Sequence, residues 1–222
     1  MAKISPAWFT ITMGTGIVSI LVYDLPFDSR WQYWLSIGVF ATNVILFTLF
    51  LGLLIARSIF CSGALEEMTL EPGQAIFLGA IPMSLGTIVS MLSYACVEPW
   101  GSGACLFAVA LWGMQAVSSL LCVLSLHSLF FSNDRAFYLS QLTARHLFPA
   151  ISCIVASATG SAVAGIIRDP QHALWVVLMS YMLWGIGFPL AMMITTAYLQ
   201  RLMIYKLPSQ ELIVTAFIPI GW

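Results

Sequence analysis

Seven stretches of this chain contain no Asp, Glu, Lys or Arg: residues 6–23, 31–56, 74–97, 101–132, 147–167, 173–200 and 212–222. The first six are each near or above the roughly 20 residues that an apolar helix needs to cross about 30 Å of hydrocarbon. Backbone N–H and C=O groups cannot stay unpaired in lipid, so a crossing by a single run of this kind has to be helical. The pattern therefore predicts an all-α polytopic membrane protein. With 60% hydrophobic and 8% charged residues and a mean hydropathy of +0.96, water cannot be the chain's main solvent. The seventh run has eleven residues. At about 1.5 Å per residue it reaches only about half way across. Residues 1–222 thus read as one transmembrane domain that looks cut short at its C-terminus.

The formal net charge of -1 leaves no basic stripe to neutralise phosphates, which excludes a nucleic-acid binder. Cys61, Cys96, Cys105, Cys122 and Cys153 show no metal-ligand spacing and read as apolar filler, so neither a metal nor a cofactor is expected. Gly101-Ser102-Gly103 superficially suggests a serine nucleophile, but no span interior supplies the histidine such a nucleophile requires, and no enzyme is expected. Lys and Arg tend to stay cytoplasmic in short loops. Lys3, Arg57, Arg135, Arg145, Arg201 and Lys206 fall on the side of the N-terminus, against Arg30 and Arg168 opposite, which predicts a cytoplasmic N-terminus. The connection 133–146 is expected to lie along the interface.

The spans alternate in character. Spans one, three, five and the partial seventh carry glycine, small hydroxyl residues and proline, while spans two and six are built from bulky side chains such as Phe40, Phe47 and Phe50, or Trp175, Tyr181 and Trp184. Span four is mixed. Gly16-Ile17-Val18-Ser19 in span one is echoed by Thr87-Ile88-Val89-Ser90 in span three, as in a repeated hairpin. Polar, kink-prone helices belong where protein or water can satisfy freed backbone groups. Odd helices inside and even helices outside is the arrangement this predicts. Small residues also serve close helix packing, and Ser157, Ser161 and Gly165 have that spacing.

Pumps and proton-coupled carriers usually hold an ionisable group within the membrane, and the six long runs contain no Asp, Glu, Lys or Arg. A pathway here would offer hydroxyls, glycine backbone and the positive ends of helices, which bind anions weakly and release them readily. The candidate lining residues are Thr15, Gly16, Ser19, Pro82, Ser84, Thr87, Ser90, Ser157, Ser161, Thr215 and Pro219.

Several stretches resemble the tellurite-resistance and dicarboxylate transporter family, which includes plant slow-anion channels. They are Pro6-Ala7-Trp8-Phe9 with Met13-Gly14-Thr15-Gly16, Phe77-Leu78-Gly79-Ala80-Ile81-Pro82-Met83, Trp100-Gly101-Ser102-Gly103, and Ser180-Tyr181-Met182-Leu183-Trp184-Gly185-Ile186-Gly187-Phe188-Pro189-Leu190-Ala191. The tail is the most specific piece: Gln200-Arg201-Leu202, then Lys206-Leu207-Pro208 and Ile213-Val214-Thr215-Ala216-Phe217-Ile218-Pro219-Ile220-Gly221. It looks like the fungal sulfite efflux branch, with malic acid transporters as runner-up. Leu111-Trp112-Gly113-Met114-Gln115 departs from the tryptophan-rich stretch with an aspartate found in fungal relatives. The resemblance implies a fold of ten helices in five hairpins, odd ones lining a pore, with the last three beyond this sequence. It further implies sulfite efflux across the plasma membrane, with malate or another dicarboxylate as the alternative substrate, lipid as the surroundings, and room for a homo-oligomer. A non-transporting truncated membrane protein is the reading from another class.

Overall fold

A computed structural model describes residues 6–26, 30–60, 76–96, 102–132 and 142–205, all helix and short connections without a strand among them. The long helices are α1 (Phe9–Tyr23), α2 (Arg30–Phe60), α3 (Ala80–Met91), α4 (Ser102–Ser132), α5 (Phe148–Ile166) and α6 (Pro170–Tyr205). Short 3-10 turns, Pro6–Trp8, Ile76–Gly79 and Ala144–Leu147, lead into the three odd helices, and a π-helical turn, Leu92–Cys96, closes α3. Six of these units are long and apolar enough to cross a membrane, as the uncharged runs predict, and the chain is a multi-pass membrane protein.

The helices outrun the uncharged stretches. Arg30 and Arg57 lie within α2, and Arg201, which is buried, lies within α6. A guanidinium on a long apolar stem can sit near a helix end without breaking it, so the first charged residue does not mark where a helix stops. Of the 133–146 connection, residues 133–141 lie outside the described residues, and its end packs on the bundle. Leu142, Ala144 and His146 are buried, Leu142 and Ala144 pack with Tyr198 of α6, and His146 Nδ1 accepts from the Thr143 backbone N–H at 3.2 Å.

Packing follows the hairpins. α1 lies on α2 through edge-on aromatic pairs, Phe9 with Phe47 at 5.6 Å and with Phe50 at 6.2 Å. α1, α3 and α5 touch in succession, α4 packs on both α3 and α5, and α6 packs on α5. Within their most apolar stretches, spans three and five are 72% and 61% buried, whereas spans two, four and six are 28%, 28% and 22% buried. The inside-outside alternation therefore holds for those five. Span one is the exception at 28% buried, because among the described residues only α2 and α3 flank it along its length.

The α5–α6 turn is fixed by a helix start that the sequence spells out. Pro170 occupies the first helical position, and Asp169 accepts from the Gln171 backbone N–H at 3.1 Å and is hydrogen-bonded to His172. The His172 bond, then the Gln171 bond, hold the Asp169 carboxyl below the ordinary carboxylate range. A depressed carboxylate pKa gives stability that is present above the unfolded value and lost as pH falls through the folded one. Protection of the Gln171, His172 and Ala173 amides, taken relative to their intrinsic pH-dependent exchange rates, is thus expected to hold from neutrality down to the ordinary carboxylate range and to fall below it. Asp169→Ala should show the low protection at neutral pH.

Candidate functional site

Three polar contacts recur along the row of odd helices, and each has the same parts. A polar side chain from an even helix points inward against a glycine of the preceding odd helix. In the first, Asn43 of α2 wedges between α1 and α3. Thr15 Oγ1 donates to Asn43 Oδ1 at 2.9 Å, and Asn43 Nδ2 donates to Thr87 Oγ1 at 3.4 Å. Gly16 is what permits this meeting, since a Cβ there would overlap Thr87 Oγ1 and fall 2.7 Å from Asn43 Nδ2. In the second, Gln115 of α4 sits between α3 and α5. Thr159 Oγ1 donates to Gln115 Oε1 at 2.9 Å, and a Cβ on Gly86 would stand 2.5 Å from Gln115 Nε2. In the third, Ser180 of α6 meets Gly160 of α5, where a Cβ would overlap Ser180 Oγ. Trp112 of α4 seals the same level, its Nε1 donating to the Ala156 carbonyl at 2.9 Å.

The third contact stands beside an open groove of about 300 Å³, lined by Ser157, Ala158 and Ser161 of α5 and Val177, Ser180, Tyr181 and Trp184 of α6. The stripe Ser157, Ser161, Gly165 thus faces outward here. Packing of α5 on its neighbours uses Cys153, Ala156, Gly160 and Val163 instead.

The structure brings Thr15, Gly16 and Thr87 together around Asn43, and Ser157 and Ser161 together in the groove. Ser19, Pro82 and Ser84 are buried, and Ser90 is half-buried. Thr215 and Pro219 lie outside the described residues. Most of the hydroxyls donate within their own helix: Ser19 to the Gly16 carbonyl at 2.7 Å, Ser84 to Ile81 at 2.8 Å, Thr87 to Ser84 at 2.8 Å and Ser161 to Ala158 at 2.7 Å. A hydroxyl has one proton, so these groups turn acceptor lone pairs, not donors, toward a neighbour. Ser90 and Ser157 make no hydrogen bond among the described residues.

Asn43 and Gln115 are the residues the lining set omits. Both are fully buried in the middle of apolar helices. The readable signal was a carboxamide at mid-span in each uncharged run, a costly group to bury unless something pairs with it. Among the described residues no group of His, Cys, Asp or Glu side chains could hold a metal ion.

A row of odd helices, the second and third of them enclosed, faced by even helices and joined by neutral polar contacts, makes a polytopic helical membrane fold. The profile of the voltage-dependent anion channel family matches residues 3–222, and the chain belongs to that family. It is 36% identical to a sulfite efflux pump of Arthroderma benhamiae across 100% of its own length and 59% of the relative's. It is 30% identical to a sulfite efflux pump of Candida albicans, covering 98% of this chain and 45% of the other. A malic acid transport protein of Schizosaccharomyces pombe is 23% identical over 82% of this chain and 41% of its own. The chain thus spans about three fifths, 59%, of the length of the Arthroderma relative. No solved structure matches.

Proposed function

We propose that this chain forms part of a pathway that exports sulfite across the plasma membrane, with its N-terminus in the cytoplasm. The observation that carries the reading is similarity along the whole chain to proteins named as sulfite efflux pumps, at 36% and 30% identity, against 23% for the malic acid transport protein. The chemistry of the spans supports it. Their contacts are made by carboxamides, hydroxyls and glycine, with no charged group in mid-span among the described residues to trap an anion. With an inside-negative membrane potential worth about 2.3 kcal/mol per charge per 100 mV, such a pathway lets anions leave without a proton relay or a catalytic step. Lipid surrounds the even helices, and a homo-oligomer is compatible with their exposed faces.

Expression from the complete reading frame in cells lacking their own sulfite exporter tests this. Sulfite release and sulfite tolerance are both expected to rise, with little malate uptake. Malate uptake without sulfite release would replace the reading by dicarboxylate transport. Movement of neither anion by a correctly inserted protein would favour a non-transporting membrane protein.

A further inference from the structure

We propose that the Gln115 side-chain amide is a hydrogen-bond donor to the anion in transit, held ready at the α3–α5 seam by Thr159; the inference rests on the transport reading above. The two buried carboxamides differ in one respect. Asn43 uses both ends, accepting from Thr15 and donating to Thr87. Gln115 uses one: Thr159 donates to its Oε1, while its Nε2 is buried with no partner. An amide with two N–H protons and no acceptor in a fully buried position is costly, and a methionine of similar length would fill the space without that cost.

Anions need donors. Of the hydroxyls in the odd helices, Ser19, Ser84, Thr87 and Ser161 donate to carbonyls of their own helices and offer an anion only oxygen lone pairs, while Ser90 and Ser157, both half-buried, keep their protons. The Trp112 N–H is committed to the Ala156 carbonyl. Away from the ends of the bundle, Gln115 Nε2 is the buried donor nitrogen that remains uncommitted among the described residues. It packs so closely on Gly86 that a Cβ there would stand 2.5 Å away, so the amide meets an anion only by turning out of this contact. Rotation about the glutamine's own torsions releases the Thr159 bond, whose hydroxyl can fall back on the Val155 and Ala156 carbonyls, and turns the N–H groups to an oxyanion at the seam of the two most enclosed helices.

The test uses Gln115→Met and Gln115→Glu in the protein expressed from its complete reading frame and reconstituted in lipid vesicles. Gln115→Met removes the donor at nearly constant volume. It should melt at or above the parent's temperature yet carry sulfite about tenfold more slowly, the effect of losing one hydrogen bond to a charged group. Nitrate, which is weakly hydrated and depends less on donors, should slow much less. Gln115→Glu keeps the oxygen held by Thr159 and puts at the nitrogen's place an oxygen that donates while the carboxyl is protonated and only accepts once it ionises, so sulfite flux relative to the parent should fall as pH rises. Sulfite flux within twofold of the parent in folded Gln115→Met, or a Gln115→Glu flux that follows the parent's at every pH, overturns the proposal while leaving the transport reading intact. Absence of both sulfite and nitrate flux in the parent itself overturns the transport reading, and this inference with it.

Discussion

Gly16→Ala is expected to unseat α1 from α3 and to destabilise the bundle by about 1–3 kcal/mol, the range for overpacking a tight contact. A Cβ on Gly16 would overlap Thr87 Oγ1, lie 2.5 Å from Thr87 Cβ and 2.7 Å from Asn43 Nδ2. Real carbons do not approach this closely, and threonine, branched at Cβ, has few rotamers to retreat into. Moving Thr87 would also break its bond from Asn43, which joins α2 to the pair. In lipid, helices gain little from burying apolar surface against one another, so close approach at small residues carries more of the association. The check is thermal unfolding of the purified protein in detergent, alone and combined with changes at Thr87. Thr87→Gly removes the two threonine atoms, leaving only the Asn43 amide to turn aside, and should restore much of the loss. Thr87→Ala leaves the Cβ in place and should restore little. A Gly16→Ala protein that melts with the parent would show that the three-helix contact is not a tight one.

The same geometry explains what the sequence could and could not disclose. Uncharged length revealed the spans, because lipid enforces one rule on every segment that crosses it. Glycine and hydroxyl content marked spans three and five as enclosed, since small residues are needed where backbones come close. Gly79 illustrates this: a Cβ there would stand 2.8 Å from the Phe148 carbonyl oxygen and 2.9 Å from Pro149 N, both backbone atoms. The Gly16 and Thr87 echo marks one contact seen from its two sides.

Composition could not reveal that span one is mostly exposed, because enclosure depends on how many neighbours a helix has. Nor could it distinguish the two stripes of α5. Ser157-to-Gly165 spacing and Ala156-to-Gly160 spacing both satisfy a small-residue rule, and only the positions of Trp112 and Ser180 decide that Gly160 is the packed one. Asn43 and Gln115 stood in plain view as mid-span carboxamides. Their partners, 28 and 44 residues away along the chain for Thr15 and Thr159, are set by tertiary packing. Hydroxyl residues were readable as polar, but not that most of them spend their protons on their own helices.

The central claim is that anions move along the odd helices, and not around the even ones. Its most direct measurement places single cysteines at Ser161, on the groove face of α5, and at Leu106, on α4 and 73% exposed. An impermeant sulfonated maleimide carries negative charge and forms a thioether that sulfite does not cleave. It is applied and washed away before sulfite flux is measured in vesicles, with the treated parent as control for the native cysteines. Modification at Ser161→Cys is predicted to remove most of the sulfite flux, while Leu106→Cys behaves as the parent does. Full sulfite flux through a protein shown by mass to be modified at Ser161→Cys, or equal loss at Leu106→Cys, would contradict a pathway lined by the odd helices.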